Sequence, residues 1–235
     1  TARVPYGSKS AETVLRYSKM ATDFLVAQGV KMVVIACNTA SAFAIDALRE
    51  QLPLPVLGVI EPGAKAAVAA TRTGDIGVIG TLGTVRSGSY PRAIAKLDDK
   101  MRVTARACPL LVPLAEEGWL DDDIAAAVAR RYLRELAADA PDLDTLVLGC
   151  THYPLLRPLI GRVAGDVFGR DVALVDSADT MAESAHDELA RLGLLRADDA
   201  GAGHLQCYVT DDARIDEVAS RFLGRPLKSA IRVDL

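Results

Sequence analysis

The sequence contains no apolar run approaching the roughly 18 residues that a membrane-spanning helix needs. It has no excess of positive charge either. Its 27 lysines and arginines stand against 31 acidic residues, and the net charge of −4 lacks the basic footprint of a nucleic-acid-binding protein. The four cysteines, Cys37, Cys108, Cys150 and Cys207, form no C-x-x-C pair and no metal-ligand spacing, so the usual zinc patterns are excluded. Their low density in a chain of 235 residues argues against a disulfide framework. Reduced thiols in a cytoplasmic protein are therefore expected, and no secretory signal pattern is visible in the sequence. The glycine-rich stretch Gly74-Asp75-Ile76-Gly77-Val78-Ile79-Gly80-Thr81 matches neither G-x-G-x-x-G nor G-x-x-x-x-G-K-[ST]. It reads instead as a strand and tight turn that presents Thr81 and Thr84 at a strand end. No lysine-centred cofactor motif is found, and no cofactor and no metal are expected.

What the sequence does contain is alternation. Apolar runs rich in β-formers recur at 31–36, 55–60, 75–80, 101–107, 144–149, 171–176 and 204–209. Helical patterns lie between most of them, notably at 10–28, 39–50, 84–97, 121–138, 177–193 and 211–223. This order predicts an α/β fold with mostly parallel sheets. Asp121-Asp122-Asp123 and Ser177 with Asp179 and Thr180 read as helix starts, and Pro154 suits a first turn. The arginine- and lysine-bearing stretch from Arg221 to Arg232 reads as solvated surface.

Two cysteines stand in near-matching contexts, Val33-Val34-Ile35-Ala36-Cys37-Asn38-Thr39 and Leu146-Val147-Leu148-Gly149-Cys150-Thr151-His152. Each follows a short apolar strand, is entered through a small residue and precedes polar side chains able to cap a helix. The repetition predicts two pseudo-symmetric α/β lobes, each contributing one thiol to a cleft between them. Residues 61–176 would form one lobe and residues 1–60 with 177–235 the other, with hinges near Glu61-Pro62-Gly63 and Asp176-Ser177. A thiol at a helix N-terminus gains thiolate character from the unpaired N–H groups there. Two thiols on opposite walls suit moving a proton from one face of a carbon to the other. Asn38, Thr39 and Ser41 beside the first thiol, and Thr151 and His152 beside the second, offer neutral donors for a carboxylate. His152 is placed to tune or protonate Cys150. His186 and His204 are expected outside the site, Cys108 and Cys207 in the core, and the Tyr6-Gly7 turn after Pro5 close to a ligand.

Ala36-Cys37-Asn38-Thr39-Ala40 and Gly149-Cys150-Thr151-His152-Tyr153-Pro154 resemble the two signatures of the glutamate racemases, in the aspartate/glutamate racemase superfamily. The resemblance extends in order through Pro5-Tyr6-Gly7, Val78-Ile79-Gly80-Thr81, Cys108-Pro109, Pro113-Leu114-Ala115-Glu116, Val175-Asp176-Ser177-Ala178 and Tyr208-Val209-Thr210. It implies cofactor-independent interconversion of L- and D-glutamate, supplying D-glutamate for peptidoglycan. By the same resemblance Cys37 and Cys150 are the acid/base pair, aided by His152 and by Glu116. Tyr6, Gly7, Asn38, Thr39, Thr81, Thr151 and His152 surround the substrate. Glutamate is the implied ligand, with no nucleic acid or membrane partner and a homodimer as the candidate assembly. The alternatives are a relative acting on aspartate, a hydantoin or a maleate-like acid, and a non-catalytic protein that uses the fold to hold an acidic ligand or a protein. Members of the family open with a strand and an Asp-Ser-Gly motif, whose aspartate assists the first cysteine and whose serine helps hold substrate. The expectation is that such a strand–helix unit, about 30 residues, is missing ahead of Thr1, and that residues 1–235 alone turn over little glutamate.

Overall fold

The computed structural model describes residues 1–197, 201 and 203–235, so residues 198–200 and 202 of the predicted first lobe lie outside the described residues. Its centre is a four-stranded parallel sheet in the order β4-β3-β5-β6, built from β3 (Asp75–Gly80), β4 (Arg102–Ala107), β5 (Thr145–Gly149) and β6 (Ala173–Asp176). Every residue of β3 and β5 is buried, which is why both read as continuous apolar runs rather than alternating ones. Successive side chains point to opposite faces. Ile79, Leu146 and Leu148 pack with α6 (Leu111–Glu117), α7 (Asp123–Asp139) and α8 (Arg157–Phe168). Ile76, Val78, Val147 and Val175 pack on the other face with α3 (Ile60–Ala70), α5 (Ser89–Leu97) and Met181 of α9 (Ser177–Arg191).

A second parallel pair, β1 (Val33–Ile35) with β2 (Val56–Gly58), has its own core. In it Val33, Ile35 and Val56 meet Val14 of α1 (Ala11–Ala27) and Ala40, Ala44 and Leu48 of α2 (Asn38–Gln51). A third pair, β7 (Cys207–Val209) with β8 (Ala230–Arg232), flanks α10 (Ile215–Leu223). The mixed α/β architecture with parallel sheets is the one expected. Among the described residues, no helix is long and apolar enough to cross a membrane.

The structure adds detail at three places. Glu61-Pro62-Gly63, where a hinge is expected nearby, lies in the first turn of α3. A proline there removes an N–H that has no partner within the helix, and Gly63 leaves room for the Tyr90 ring, whose hydroxyl would lie 3.1 Å from an added Cβ. The predicted helix over 84–97 is two helices, α4 (Leu82–Ser87) and α5, divided by Gly88 at φ +63°. The stretch from Arg221 to Arg232 is mostly exposed, as expected, and Ala230–Arg232 within it is a strand.

The order β4-β3-β5-β6 sets the position of the site. The chain leaves β3 toward β4 on one side and leaves β5 toward β6 on the other, so a crevice opens beyond the carboxyl ends of β3 and β5. Thr81 and Cys150 follow those two ends directly. The opposite end is pinned by buried Asp144, whose carboxylate accepts from the Thr71 hydroxyl at 2.7 Å, Arg72 N at 2.8 Å, Thr73 N at 3.0 Å and the Thr145 hydroxyl at 3.0 Å. Burial alone would raise this carboxyl, but these hydrogen bonds outweigh it and hold the pKa below the usual value. Asp144→Ala removes the charged acceptor of two backbone N–H groups and two hydroxyls and is expected to cost about 1–3 kcal/mol in a denaturant melt. Because the folded pKa is depressed, this contribution is present above the unfolded value of about 3.9 and is lost as pH falls through the folded value. A melt in which the wild-type advantage over Asp144→Ala persists undiminished at pH 2 would contradict this assignment.

Candidate active site

Cys37 is the N-cap of α2, and its Sγ accepts from Ala40 N at 3.5 Å. The thiol therefore sits on the positive end of a helix of 14 residues that starts where β1 ends. Burial pushes its pKa up, against the N–H groups of Ala40 and Thr39 and the Thr39 hydroxyl, which favour the thiolate. Cys150 closes β5 and is 5% exposed. Burial pushes it up to about 12, the backbone N–H of His152 opposes the rise, and the charges of Cys37 and Glu116 add to it. The charge of Cys37 thus reaches Cys150. Ionisation of Cys37 therefore favours Cys150 as a thiol, a protonation pattern that suits a two-base site.

The segments that carry the cysteines are tied directly. The Thr151 hydroxyl donates to the Ala36 carbonyl at 3.0 Å, across 115 residues of sequence. Gly149 is required at the approach, because a Cβ there would stand 2.8 Å from the Ile79 carbonyl oxygen. Behind Cys150, His152 Nδ1 lies 3.8 Å from Sγ and His152 Nε2 lies 2.9 Å from Glu116 Oε1. Glu116, on α6, thereby orients the imidazole that faces the thiol.

Around Cys37, the hydroxyls of Thr39, Thr81 and Thr84 form a triangle with separations of 2.8, 3.1 and 3.2 Å. Thr81 also caps α4. Gly7 passes so close that an added Cβ would lie 2.5 Å from Thr81 Cβ, and its carbonyl accepts from Gly83 N at 2.8 Å. Burial, and then the Cys37 charge, raise the Tyr6 phenol, and Tyr6 and Cys37 both pack against the core built around β1 and β2. Asn38 is buried, accepts from the Tyr90 hydroxyl at 2.8 Å and reaches Ser177 Oγ at 3.4 Å. One N–H of its amide is left for a ligand.

The structure thus gathers Cys37 with Tyr6, Gly7, Thr39 and Thr81, and Cys150 with Thr151, His152 and Glu116. Ser41 is not part of this group. Its hydroxyl donates to Ile35 O at 2.9 Å and accepts from Val59 N at 3.2 Å, holding β1 to the start of α3. His186 is exposed beside Asp187, and His204 is exposed. Cys108 is fully buried, whereas Cys207 is half-buried. Tyr90 was not singled out from sequence. It is completely buried, orients Asn38, and has its phenol raised by burial and then by the Cys150 charge. Nothing in its local sequence marks that role.

The model of the Asp/Glu/hydantoin racemase family matches residues 1–185. The chain belongs to the Asp/Glu/hydantoin racemase family. It is 50% identical to a glutamate racemase of Geobacter metallireducens over 236 residues, covering all of this chain and 85% of that protein. Among solved structures, glutamate racemase isoform RacE1 from Bacillus anthracis superposes with a TM-score of 0.90 at 38% identity, covering 100% of this chain and 85% of that one. Glutamate racemase from Francisella tularensis subsp. tularensis in complex with D-glutamate superposes with a TM-score of 0.89 at 31% identity, covering 99% and 84%. These structures share the two-lobed α/β fold.

The elevated thiol of Cys150 is open to direct measurement. In a Cys37→Ala background, the rate of Cys150 alkylation by iodoacetamide should titrate well above the value of about 8.5 of an ordinary cysteine. Burial, the dominant cause, survives that substitution. A midpoint at or below 8.5 would contradict it.

Proposed function

We propose that this protein interconverts L- and D-glutamate by passing protons between Cys37 and Cys150 on opposite faces of Cα. The single observation that carries this reading is the Thr151–Ala36 hydrogen bond, which ties together two segments that each carry a thiol just beyond the end of a parallel strand. One cysteine acts as thiolate base while the other donates its proton, and the roles exchange for the other enantiomer. The Cα proton is weakly acidic, so the site must stabilise charge that develops toward the α-carboxylate. The N–H groups at the start of α2, the Thr39 and Thr81 hydroxyls and the free N–H of Asn38 supply donors for it. Thr151 donates to Ala36 and so faces a ligand as an acceptor, suited to the substrate ammonium. His152, held by Glu116, exchanges protons with Cys150. No lysine or arginine is needed for the α-carboxylate in this scheme.

The product fits a supply of D-glutamate to peptidoglycan. The proposal includes the division into lobes 1–60 with 177–235 and 61–176, a cytoplasmic setting that keeps the thiols reduced, and a homodimer.

Racemisation of L-glutamate, followed by loss of optical activity, tests the reading. Cys37→Ala and Cys150→Ala should each lower kcat by about 10³-fold or more, at the upper end of the effect of a positioned acid or base. Glutamate should be preferred over aspartate by roughly 10–200-fold in kcat/KM, the range for one methylene in a fitted pocket. Undiminished turnover in either alanine variant would contradict the two-thiol assignment, and a preference for aspartate would move the chain to another activity in its family.

A further inference from the structure

α10 contributes no residue to any of the hydrophobic cores, yet it is fastened at both ends to the C-terminus of α6. At its start, Arg214 pairs with Glu117 at 2.8 Å and with Glu217 at 3.2 Å, from a left-handed backbone conformation with φ 59°. At its end, Arg221 donates to the Glu116 carbonyl oxygen and to Glu217 at 2.9 Å. Gly118, at φ +77°, follows α6, and an added Cβ there would lie 3.1 Å from the Arg221 guanidinium. The next residue, Phe222, meets the His152 ring edge-on, with ring centres 5.3 Å apart and planes at 84°. The helix thus touches both members of the Glu116–His152 pair, one through its backbone and the other through its ring.

We infer that Arg221 and Phe222 are positioning residues for the Cys150 half of the site, holding Glu116 and His152 in line with the second thiol. The stretch read from sequence as solvated surface begins with these two residues. A histidine has two soft torsions, and a single hydrogen bond to Glu116 leaves rotation about that bond free. The Phe222 edge blocks the rotation from the side, so Nδ1 stays aimed at Cys150 Sγ at 3.8 Å. Arg221 fixes the backbone from which the Glu116 carboxylate projects. Cys37 has no comparable contact with α10. It relies on the start of α2 and on the threonine hydroxyls. The strap therefore serves one thiol of the two.

This inference rests on the two-thiol racemase reading, and its test separates the two. L- and D-glutamate carrying deuterium at Cα are each turned over by the native protein and by Phe222→Ala, Phe222→Leu, Arg221→Ala and Arg221→Lys. The alanine variants should lose about tenfold in kcat/KM, with Phe222→Leu and Arg221→Lys partly rescued. Mirror-image products have an equilibrium constant of one, so kcat/KM falls equally in both directions. The isotope effects should not move together. When the Cys150 step becomes the higher barrier, the effect rises for the enantiomer that Cys150 deprotonates and falls for the other. A structural role lowers turnover and leaves both isotope effects at their native values, and that result would overturn the inference. Alanine variants with native kcat/KM, alongside inactive Cys37→Ala and Cys150→Ala, would overturn it while leaving the racemase reading intact. Absence of racemisation by the native protein would overturn both.

Discussion

Desolvation of the two thiols that follow β1 and β5 is the constraint on which the proposed site depends. Cys150 is buried and Cys37 is partly buried, the thiolate form of each is disfavoured by desolvation, and that of Cys150 also by the Cys37 charge. Such a site is inert unless the protein supplies fixed polar groups in place of the lost solvent. Most of the features around it do so. The start of α2 and the Thr39 hydroxyl face Cys37, and the backbone N–H groups of His152 and Tyr153 and the His152–Glu116 pair face Cys150. The two sulfurs are served by different devices, a helix dipole for one and an imidazole for the other. That asymmetry allows each to be perturbed separately.

The fold meets this constraint through strand ends. β1, β3 and β5 are parallel to their neighbours, and Cys37, Thr81 and Cys150 all lie just beyond carboxyl ends. The reversal of strand order at β3 and β5 clears the space between Thr81 and Cys150, because neither connection crosses it. Small residues keep the approaches close: Gly149 against the Ile79 carbonyl and Gly7 against Thr81. Asp144 anchors the far end of β5, so the strand that presents Cys150 is held at both ends.

The legible parts of the sequence were those whose physics is local. Buried parallel strands announce themselves as uninterrupted apolar runs, so β3 and β5 and the cysteines ending them could be read directly. The helix starts at Asp122 and Ser177 were legible because capping chemistry is short-range. α3 was not, since Pro62-Gly63 reads as a break unless the helix is known to begin two residues earlier. Tyr90 and Phe222 act through contacts over 52 and 70 residues of sequence, and no pattern in their own neighbourhoods reports such a contact. Arg221 read as one more surface charge because its acceptor, a backbone carbonyl, has no signature at all. Glu116 was reached only by family resemblance, and its physical basis, 2.9 Å from His152 Nε2, lies in the fold.

The central claim is that two different sulfurs handle the two faces of one carbon. A single turnover of unlabelled L-glutamate in D₂O, on protein equilibrated in that solvent, tests it most directly. The donating thiol carries solvent deuterium while the abstracted proton remains on the other sulfur. The first D-glutamate formed should therefore contain deuterium at Cα, and the L-glutamate left unreacted should not. First-turnover D-glutamate that keeps the original proton would mean that one base serves both faces, and would contradict the account.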